Sequence, residues 1–486
     1  MQGEELGKKI TRGLVWTYLE RVSAQGVSTL VTIILARLLL PEDYGVVSIA
    51  TIFMSVCDAL VVGGFSDTLI QKKDADDVDF STMFWFVLAF GFLMYGIVFA
   101  VAPLAQTFFK TSMVCVTLRV MAVRLPINAV KSIQSAYISK HMKYKYFFFA
   151  TLIGTVVSAL VGIVMAYMGF GVWALVAQYL TNSVVDTLII WFTCGWHPSF
   201  KFDLKRLKSL YSFGWKMQLS TLLATIYAEV ESLCIGRKYT SADLAYYEKG
   251  RQFPRMIMHN IQTSISKVML PAFSKISDEK STSKKLAKKS ISISTYLMAP
   301  LLIGLILCSK EFVAVVLTEK WLPAVPFMQL LSVYYLIEPM MAFNKQIVIA
   351  AGESALYLKM EILKKSIGIS LLLISVFCFD SVYVIAVATV LTQIIGLIIQ
   401  SAPLKRIINY SLTEQVKDVA PSYILAICMA IPICAIKMLD VSSLLKLIFE
   451  VAAGAALYLI GSMILKLEPY KYCVGKLAGF KSKIKK

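Results

Sequence analysis

Residues 82–103 read TMFWFVLAFGFLMYGIVFAVAP, without one charged side chain. A helix of that length crosses the roughly 30 Å hydrocarbon core of a bilayer. Working outward, comparable apolar runs recur over 15–38, 45–64, 113–134, 147–168, 171–192, 215–236, 245–272, 291–309, 323–350, 355–378, 382–401, 419–437 and 443–465. Lipid offers a bare backbone no hydrogen-bond partner, so every run must be helical. The sequence therefore predicts an all-α polytopic membrane protein with about 14 transmembrane helices.

Composition points the same way. Of 486 residues, 58% are hydrophobic and 16% charged, and the mean hydropathy is +0.70. Soluble domains carry nearer about a quarter charged residues. An ordinary soluble enzyme and a disordered chain are both excluded. Fourteen spans of about 20 residues would use about 280 residues, leaving short loops and no large soluble domain. The net charge of +19 would suggest nucleic acid on a soluble protein. Here the cations sit between apolar runs and report topology, so the bilayer is the expected partner and nucleic acid is not.

The cations also test the count. Lys8, Lys9 and Arg12 precede the first run, which continues to Leu40 with no cleavage site. It is too long for a cleaved signal and reads as the first transmembrane helix, with its N-terminus in the cytoplasm. From that start the even-numbered connections carry Lys72 and Lys73, then Lys140, Lys143 and Lys145, and then two longer basic clusters at 201–208 and 275–289. Lys405, Arg406, Lys417 and a lysine-rich tail follow. The opposite side holds little beyond Lys110, Lys238, Lys310, Lys320 and Lys437, with Arg37 and Arg237 at helix ends. This bias supports fourteen spans with both termini cytoplasmic.

One internal echo suggests a repeat. Arg37 and Asp43 follow the first span, and Arg237 and Asp243 follow the seventh at the same offset; Trp16 and Trp215 lie close to it. Two six-helix lobes of one orientation, related by a pseudo-two-fold repeat around a central cavity, would follow. The expected division is 1–200 for the first lobe, 201–404 for the second, and 405–486 for two extra C-terminal helices and a basic tail.

Charges inside spans are costly, at least about 2.5–3.5 kcal/mol at the bilayer centre, and so mark function or pairing. On span 8, Arg251, Arg255, His259, Gln262 and Ser266 fall on one arc at 100° per residue, joined by Glu248. Phe253, Ile257, Ile261, Ile265 and Val268 lie opposite. Such a stripe fits a hydrated cavity that attracts anions; a helix lying flat on the membrane surface is the alternative. On span 4, Arg124, Asn128, Lys131 and Ser135 share a face, and Arg119 points away toward the outer end. Here a structural ion pair is the alternative. Pro126 and Pro254 should kink their helices. Asp58, Asp186, Glu229, Glu231 and Glu338 are the intramembrane carboxylates, either coupling sites or counter-ions. Glu229 and Glu231 point about 160° apart on a helix, so both cannot face one cavity. Lys345 sits with Glu338, Asn344 and Gln346 on span 10.

Several chemistries lack their residues. Nine scattered cysteines and three histidines form no metal-ligand spacing, so no metal and no disulfide framework is expected. No GxxxxGK[ST] motif is present. AspAlaAspAspValAsp at 74–79 reads as a solvated inner loop. The longest outer connection, about 310–322, carries no base or nucleophile constellation, which argues against a membrane-bound polymerase or ligase. No catalytic residue, no cofactor and no enzymatic activity are expected.

Four stretches together resemble a known family. They are LARLLLPEDYG at 35–45, GFSDTLIQK at 64–72, LPAFSKI at 270–276 and EKWLPAVP at 319–326. Their order and spacing are similar to the polysaccharide transporter family, the Wzx-type oligosaccharide flippases of the multidrug/oligosaccharidyl-lipid/polysaccharide exporter superfamily. The resemblance implies two six-helix lobes around a central cavity. It also implies transfer of polyprenyl-diphosphate-linked oligosaccharide from the inner to the outer leaflet of the bacterial cytoplasmic membrane for polysaccharide biosynthesis. Related flippases place arginines near the first and eighth helices, comparable here to Arg21, Arg251 and Arg255. A diphosphate cannot cross the hydrocarbon unaided, and a cationic cavity opening alternately to each side would lower that barrier. Arg21, Arg124, Asn128, Lys131, Arg251, Arg255, His259, Gln262 and Lys345 are thus the expected cavity residues. Asp58, Glu229, Glu231 and Glu338 are the coupling or counter-ion candidates, and Tyr247, Gln262 and Asn344 are candidates for sugar contact. The lipid-linked oligosaccharide would be the cargo and polysaccharide polymerase machinery a partner. A cation-coupled multidrug exporter of the same fold is the rival, and a membrane glycosyltransferase the third reading.

Overall fold

The computed structural model describes residues 2–275 and 280–475, with side chains described except at 2–12, 14, 15, 213, 260 and 262–275. The chain divides into two compact units, Met1–Ala245 and Tyr246–Lys486. The first contains helices Gln2–Leu38, Pro41–Val61 with its short continuation Phe65–Gln71, Asp77–Phe109, Met113–Met121 with Arg124–Lys140, Lys145–Tyr167, Val172–Thr193 and Leu204–Lys238. Helix Ser241–Lys275 starts within the last residues of the first unit and belongs mostly to the second. Then come Lys280–Leu307, Ser309–Val316, Val325–Ala350, Ser354–Cys378, Val382–Ser401, Leu412–Cys428 with Ala430–Lys437, and Ser443–Ile464. Among the described residues there is no strand. Each apolar run of the sequence is covered by a helix.

Among the described residues, eleven helices are long and apolar enough to cross a membrane. The protein is a multi-pass membrane protein. Three long helices fall short of that measure: Ser241–Lys275, Val325–Ala350 and Ser354–Cys378. The first carries Glu248, Lys249, Arg251 and Arg255, and the third carries Lys359, Glu361, Lys364 and Lys365. Glu338, Asn344, Lys345 and Gln346 dilute the second.

Local chemistry sets the breaks. The fourth span is interrupted between Met121 and Arg124. Pro126 has no N–H to give the carbonyl four residues earlier, so the helix restarts there. The two echoed segments share one corner. Asp43 Oδ2 accepts from the Leu40 amide at 3.1 Å. Asp243 Oδ2 likewise accepts from the Thr240 amide at 3.1 Å. Each carboxylate satisfies an N–H that the new helix cannot.

The 74–79 run is more ordered than a solvated loop. Asp76 caps helix Asp77–Phe109, and its carboxylate accepts from the Asp79 amide at 2.9 Å. Arg206 reaches Asp76 at 2.6 Å and Asp79 at 3.4 Å, Lys72 reaches Asp79 at 2.5 Å, and Trp196 Nε1 donates to Asp77 at 2.6 Å. The hydrogen bonds from Arg206 and from the Asp79 amide pull the Asp76 carboxyl down to about 2. The acidic run therefore fastens two connections of the first unit to each other.

Within the first unit, Asp77–Phe109 packs on Arg124–Lys140, which packs on Val172–Thr193, which in turn lies along Lys145–Tyr167. Leu204–Lys238 closes this unit against Pro41–Val61, Phe65–Gln71 and Asp77–Phe109. Within the second unit the pattern recurs: Lys280–Leu307 on Val325–Ala350, then Val382–Ser401, then Ser354–Cys378. Its core gathers Ile291, Phe343, Ile347, Val348, Leu404 and Tyr410, all nearly or fully inaccessible.

Candidate functional site

The first unit holds an open cavity of about 1100 Å³. Its walls come from Pro41–Val61, Phe65–Gln71, Arg124–Lys140, Val172–Thr193 and Leu204–Lys238. Arg124, Asn128, Lys131 and Ser135 all line it, so the face read from spacing is brought together as one wall. Arg119 is elsewhere: its Nε donates to the Phe99 carbonyl at 3.1 Å, and its guanidinium lies 4.2 Å from the Phe99 ring centroid.

The cavity is not uniformly cationic. Arg124 Nη2 lies 3.0 Å from Asp58 Oδ2, and Asn128 Nδ2 donates to Asp58 Oδ1 at 3.0 Å. One turn further along, Lys131 is ion-paired with the buried Asp186. Glu229, from helix Leu204–Lys238, lines the cavity, whereas Glu231 is not among its lining residues. That is the separation two helical positions require. The polar wall thus alternates in sign, and neutralisation inside the bundle lowers the cost of keeping such charges from water. Among the described residues, Arg124 Nε and Asp186 Oδ1 have no hydrogen-bond partner.

A second hollow of about 450 Å³ adjoins it, with Asn182 on both linings. Arg21 lies here beside Glu20, whose Oε1 accepts from Thr151 at 3.1 Å. Glu20 was not singled out from sequence. The signal was available, because a carboxylate next to Arg21 in an otherwise apolar span is as costly as those that were noted.

In the second unit, helix Ser241–Lys275 has two distinct faces. Phe253 meets the Phe312 ring at 5.0 Å, and Ile257 and Ile261 pack against Met298, Leu302 and Tyr335. Arg255 and His259 are exposed on the other side. Arg251 lies between, held by Glu248 at 2.8 and 2.9 Å. The Gln262 side chain lies outside the described residues. Lys249, which sequence reasoning passed over, is buried with its ammonium 5.7 Å from the Trp321 ring centroid and 3.3 Å from Gln252 Oε1.

Two residues expected to meet sugar are instead part of the core. Tyr247 is 0% exposed and sits edge-on to Phe327. Asn344 is also 0% exposed, and its amide donates to Ser401 Oγ and Gln415 Oε1, both at 3.1 Å. Glu338 joins a polar cluster: Gln393 donates to it at 2.5 Å and accepts from Lys364 Nζ at 3.0 Å. Lys345 lies 5.2 Å from the Tyr357 ring centroid. Gln393 went unnoticed in the sequence because it lies in a strongly apolar segment, and Lys364 because it is one of four charges at the start of its helix, among which spacing does not single it out.

With this geometry in hand, comparison with known proteins is informative. The sequence profile of the family described as polysaccharide biosynthesis protein matches residues 34–326, which spans all four stretches singled out above. The teichuronic acid biosynthesis protein TuaB of Bacillus subtilis (strain 168) is 23% identical over 404 residues, 82% of this chain and 83% of TuaB. The succinoglycan biosynthesis transport protein ExoT of Rhizobium meliloti (strain 1021) is 22% identical over 325 residues, 67% of this chain and 66% of ExoT. Among solved structures, the lipid II flippase MurJ in its inward closed conformation superposes with a TM-score of 0.76 at 13% identity, covering 93% of this chain and 99% of MurJ. That last likeness is one of fold. The profile covers more than half of the sequence, and on that ground the chain belongs to the polysaccharide biosynthesis protein family.

Proposed function

We propose that this protein is a flippase for polyprenyl-diphosphate-linked oligosaccharide, moving it from the inner to the outer leaflet of the bacterial cytoplasmic membrane for polysaccharide biosynthesis. The observation that carries the reading is the asymmetry of helix Ser241–Lys275. Its apolar face is packed through Phe253, Ile257 and Ile261, while Arg255 and His259 stay exposed. Charges kept in a span without burial against protein cost several kcal/mol unless they meet water or an anion. A diphosphate is such an anion, and guanidinium groups bind phosphate oxygens through paired, charge-assisted hydrogen bonds. The family and the names of TuaB and ExoT support an oligosaccharide cargo.

The finer features belong to the same proposal. Fourteen helices cross the membrane and both termini are cytoplasmic, a reading that the lysine bias supports. Residues 1–200 and 201–404 form repeated six-helix lobes, and 405–486 add two helices and a basic tail. The shared corner at Asp43 and Asp243 and the recurring helix pairings support the repeat. Cargo exchanges by alternating access, with Arg21, Arg124, Asn128, Lys131, Arg251, Arg255, His259, Gln262 and Lys345 along its path. Asp58, Glu229, Glu231 and Glu338 act as counter-ions or coupling groups, and the polymerase machinery receives the cargo. No covalent bond changes, so no catalytic residue is required.

The test is the double variant Arg251→Ala/Arg255→Ala in cells that depend on this protein for polysaccharide export. Export should be lost while the amount of membrane-inserted protein stays normal. Unchanged export would remove this helix from the cargo path. The carboxylates Asp58 and Glu229 on the cavity wall favour one rival, a cation-coupled multidrug exporter. That reading requires drug resistance in cells expressing the protein, with polysaccharide export unaffected by its deletion.

A further inference from the structure

A third cavity, of about 610 Å³, lies in the second unit, apart from the charged faces described above. It forms where the start of Lys280–Leu307, the start of Leu412–Cys428 and the end of Ser443–Ile464 meet. All three ends adjoin lysine-rich connections, the pattern of the cytoplasmic side. Its lining carries five lysines, Lys285, Lys288, Lys289, Lys417 and Lys466, against two carboxylates, Asp418 and Glu468. Lys288 is paired with Asp418 at 2.8 Å, and Lys289 lies 4.0 Å from the Tyr472 ring centroid. Among the described residues, Lys285, Lys417 and Lys466 have no carboxylate partner.

The floor is held in place rather than improvised. Lys466 adopts a left-handed φ of 50° just after helix Ser443–Ile464, and the Leu467 amide returns to the Ser462 carbonyl at 3.2 Å. The chain then turns into a short helix over 468–475. Leu467, Tyr470 and Cys473 of this segment pack onto the core around Tyr296, Met429 and Tyr458. That anchoring brings Glu468, Pro469 and Tyr472 to the cavity and closes its lower side.

The lining is also amphipathic. Ile293, Pro421 and Leu465 lie beside the lysines, and Leu465 is 58% exposed. Surplus ammonium groups bind a phosphate anion, and an apolar wall continuing into the spans accommodates an acyl chain. A soluble phosphate needs the first feature only. A bilayer phospholipid uses both, and basic pockets between spans at the cytoplasmic face suit anionic headgroups.

We propose that this cavity is a binding site for an anionic phospholipid of the inner leaflet, its phosphate held by Lys285, Lys417 and Lys466 and its acyl chains leaving along Ile293 and Leu465. The site is distinct from the cargo path and its occupancy does not depend on which cargo is moved. The bound lipid ties the C-terminal segment to the helices that carry Lys285 and Lys417.

The test uses the full-length protein. Purified, delipidated wild type and the triple variant Lys285→Gln/Lys417→Gln/Lys466→Gln are titrated with phosphatidylglycerol and bound lipid is counted by intact-complex mass spectrometry. Each lysine near an anionic headgroup is worth about a fivefold factor in affinity, so the triple variant should lose about a hundredfold. Thermal unfolding in nanodiscs of pure phosphatidylcholine should be the same for both proteins. Adding phosphatidylglycerol to the discs should raise the unfolding temperature of the wild type alone. If the triple variant does not fold, Lys417→Gln by itself should lose about fivefold. Undiminished phosphatidylglycerol binding by the variants would overturn the site. Inorganic phosphate stabilising the wild type in detergent as strongly as phosphatidylglycerol would overturn its assignment to a lipid.

Discussion

The Asp58–Arg124 pair on the cavity wall can be tested by a double-mutant cycle. Asp58→Asn and Arg124→Gln each remove one charge and strand the other. Two unit charges 3.0 Å apart attract by roughly 5 kcal/mol at an effective dielectric of about 20. Desolvation of both groups offsets most of that, so the intact pair is worth little net. Breaking it is different, because the remaining charge keeps its burial and loses its partner, typically at about 3–5 kcal/mol. The side chains here are 20% and 23% exposed, so residual solvation lowers the expected cost to about 2 kcal/mol for each single variant. The double variant leaves two neutral groups of similar shape and should sit about 1 kcal/mol below the wild type. The implied coupling is about 3 kcal/mol. Purified protein in mixed micelles is unfolded by increasing the fraction of denaturing detergent, followed by fluorescence of its seven tryptophans. Additive behaviour, with the double variant losing about 4 kcal/mol, would refute the idea that the two charges hold each other in the bundle.

Two further outcomes are expected. A methyl added at Gly45 would clash with the Ser241 carbonyl and come within 2.7 Å of Ser241 Cβ, so Gly45→Ala should cost about 3 kcal/mol in the same unfolding assay. Gly96→Ala, with nothing within 4 Å, is the control that should leave stability unchanged or slightly raised. The second concerns pH. The Asp76 carboxyl is held down at about 2 in the folded chain, below an ordinary value of about 4. Its contribution is therefore complete above about pH 4 and disappears as pH falls through about 2. Arg206→Gln should return the loss to the ordinary range near about pH 4, read as earlier onset of protease cutting within 72–77 on acidification.

Much of the helical layout was legible because lipid forbids alternatives. A run such as 82–103 has one permissible structure in a bilayer, and its length is fixed by thickness. The shared wall of Arg124, Asn128, Lys131 and Ser135 was legible for a related reason: spacings of four, three and four define a single helical face. Partners were not legible. Nothing in the spacing links Asp58 to Arg124 or Asp186 to Lys131, since those pairs join helices 66 and 55 residues apart. Burial was misread at Tyr247 and Asn344. Both sit among polar neighbours in sequence, yet their side chains turn toward Phe327 and toward Ser401. A hydrogen-bonded amide in a core and an amide facing a hydrated passage look identical in a string of letters. The acidic run at 74–79 is exposed at Asp74, Asp76 and Asp77, as a solvated loop should be, but its partners Trp196 and Arg206 were not legible because they arrive from a connection more than a hundred residues later.

The seam beneath helix Ser241–Lys275 carries a consequence for which of its positions tolerate change. Gly250 admits no methyl, which would come within 2.5 Å of Phe327 Cβ and 2.9 Å of the Met328 amide nitrogen, and the Phe253–Phe312 ring contact lies one turn on. The helix is thus unable to roll about its own axis without tearing that seam. Its outward edge at Arg255 and His259, by contrast, is exposed. If the helix lies on the proposed cargo path, substitutions at those two exposed positions would alter what is recognised while the seam at Gly250 and Phe253 stays intact.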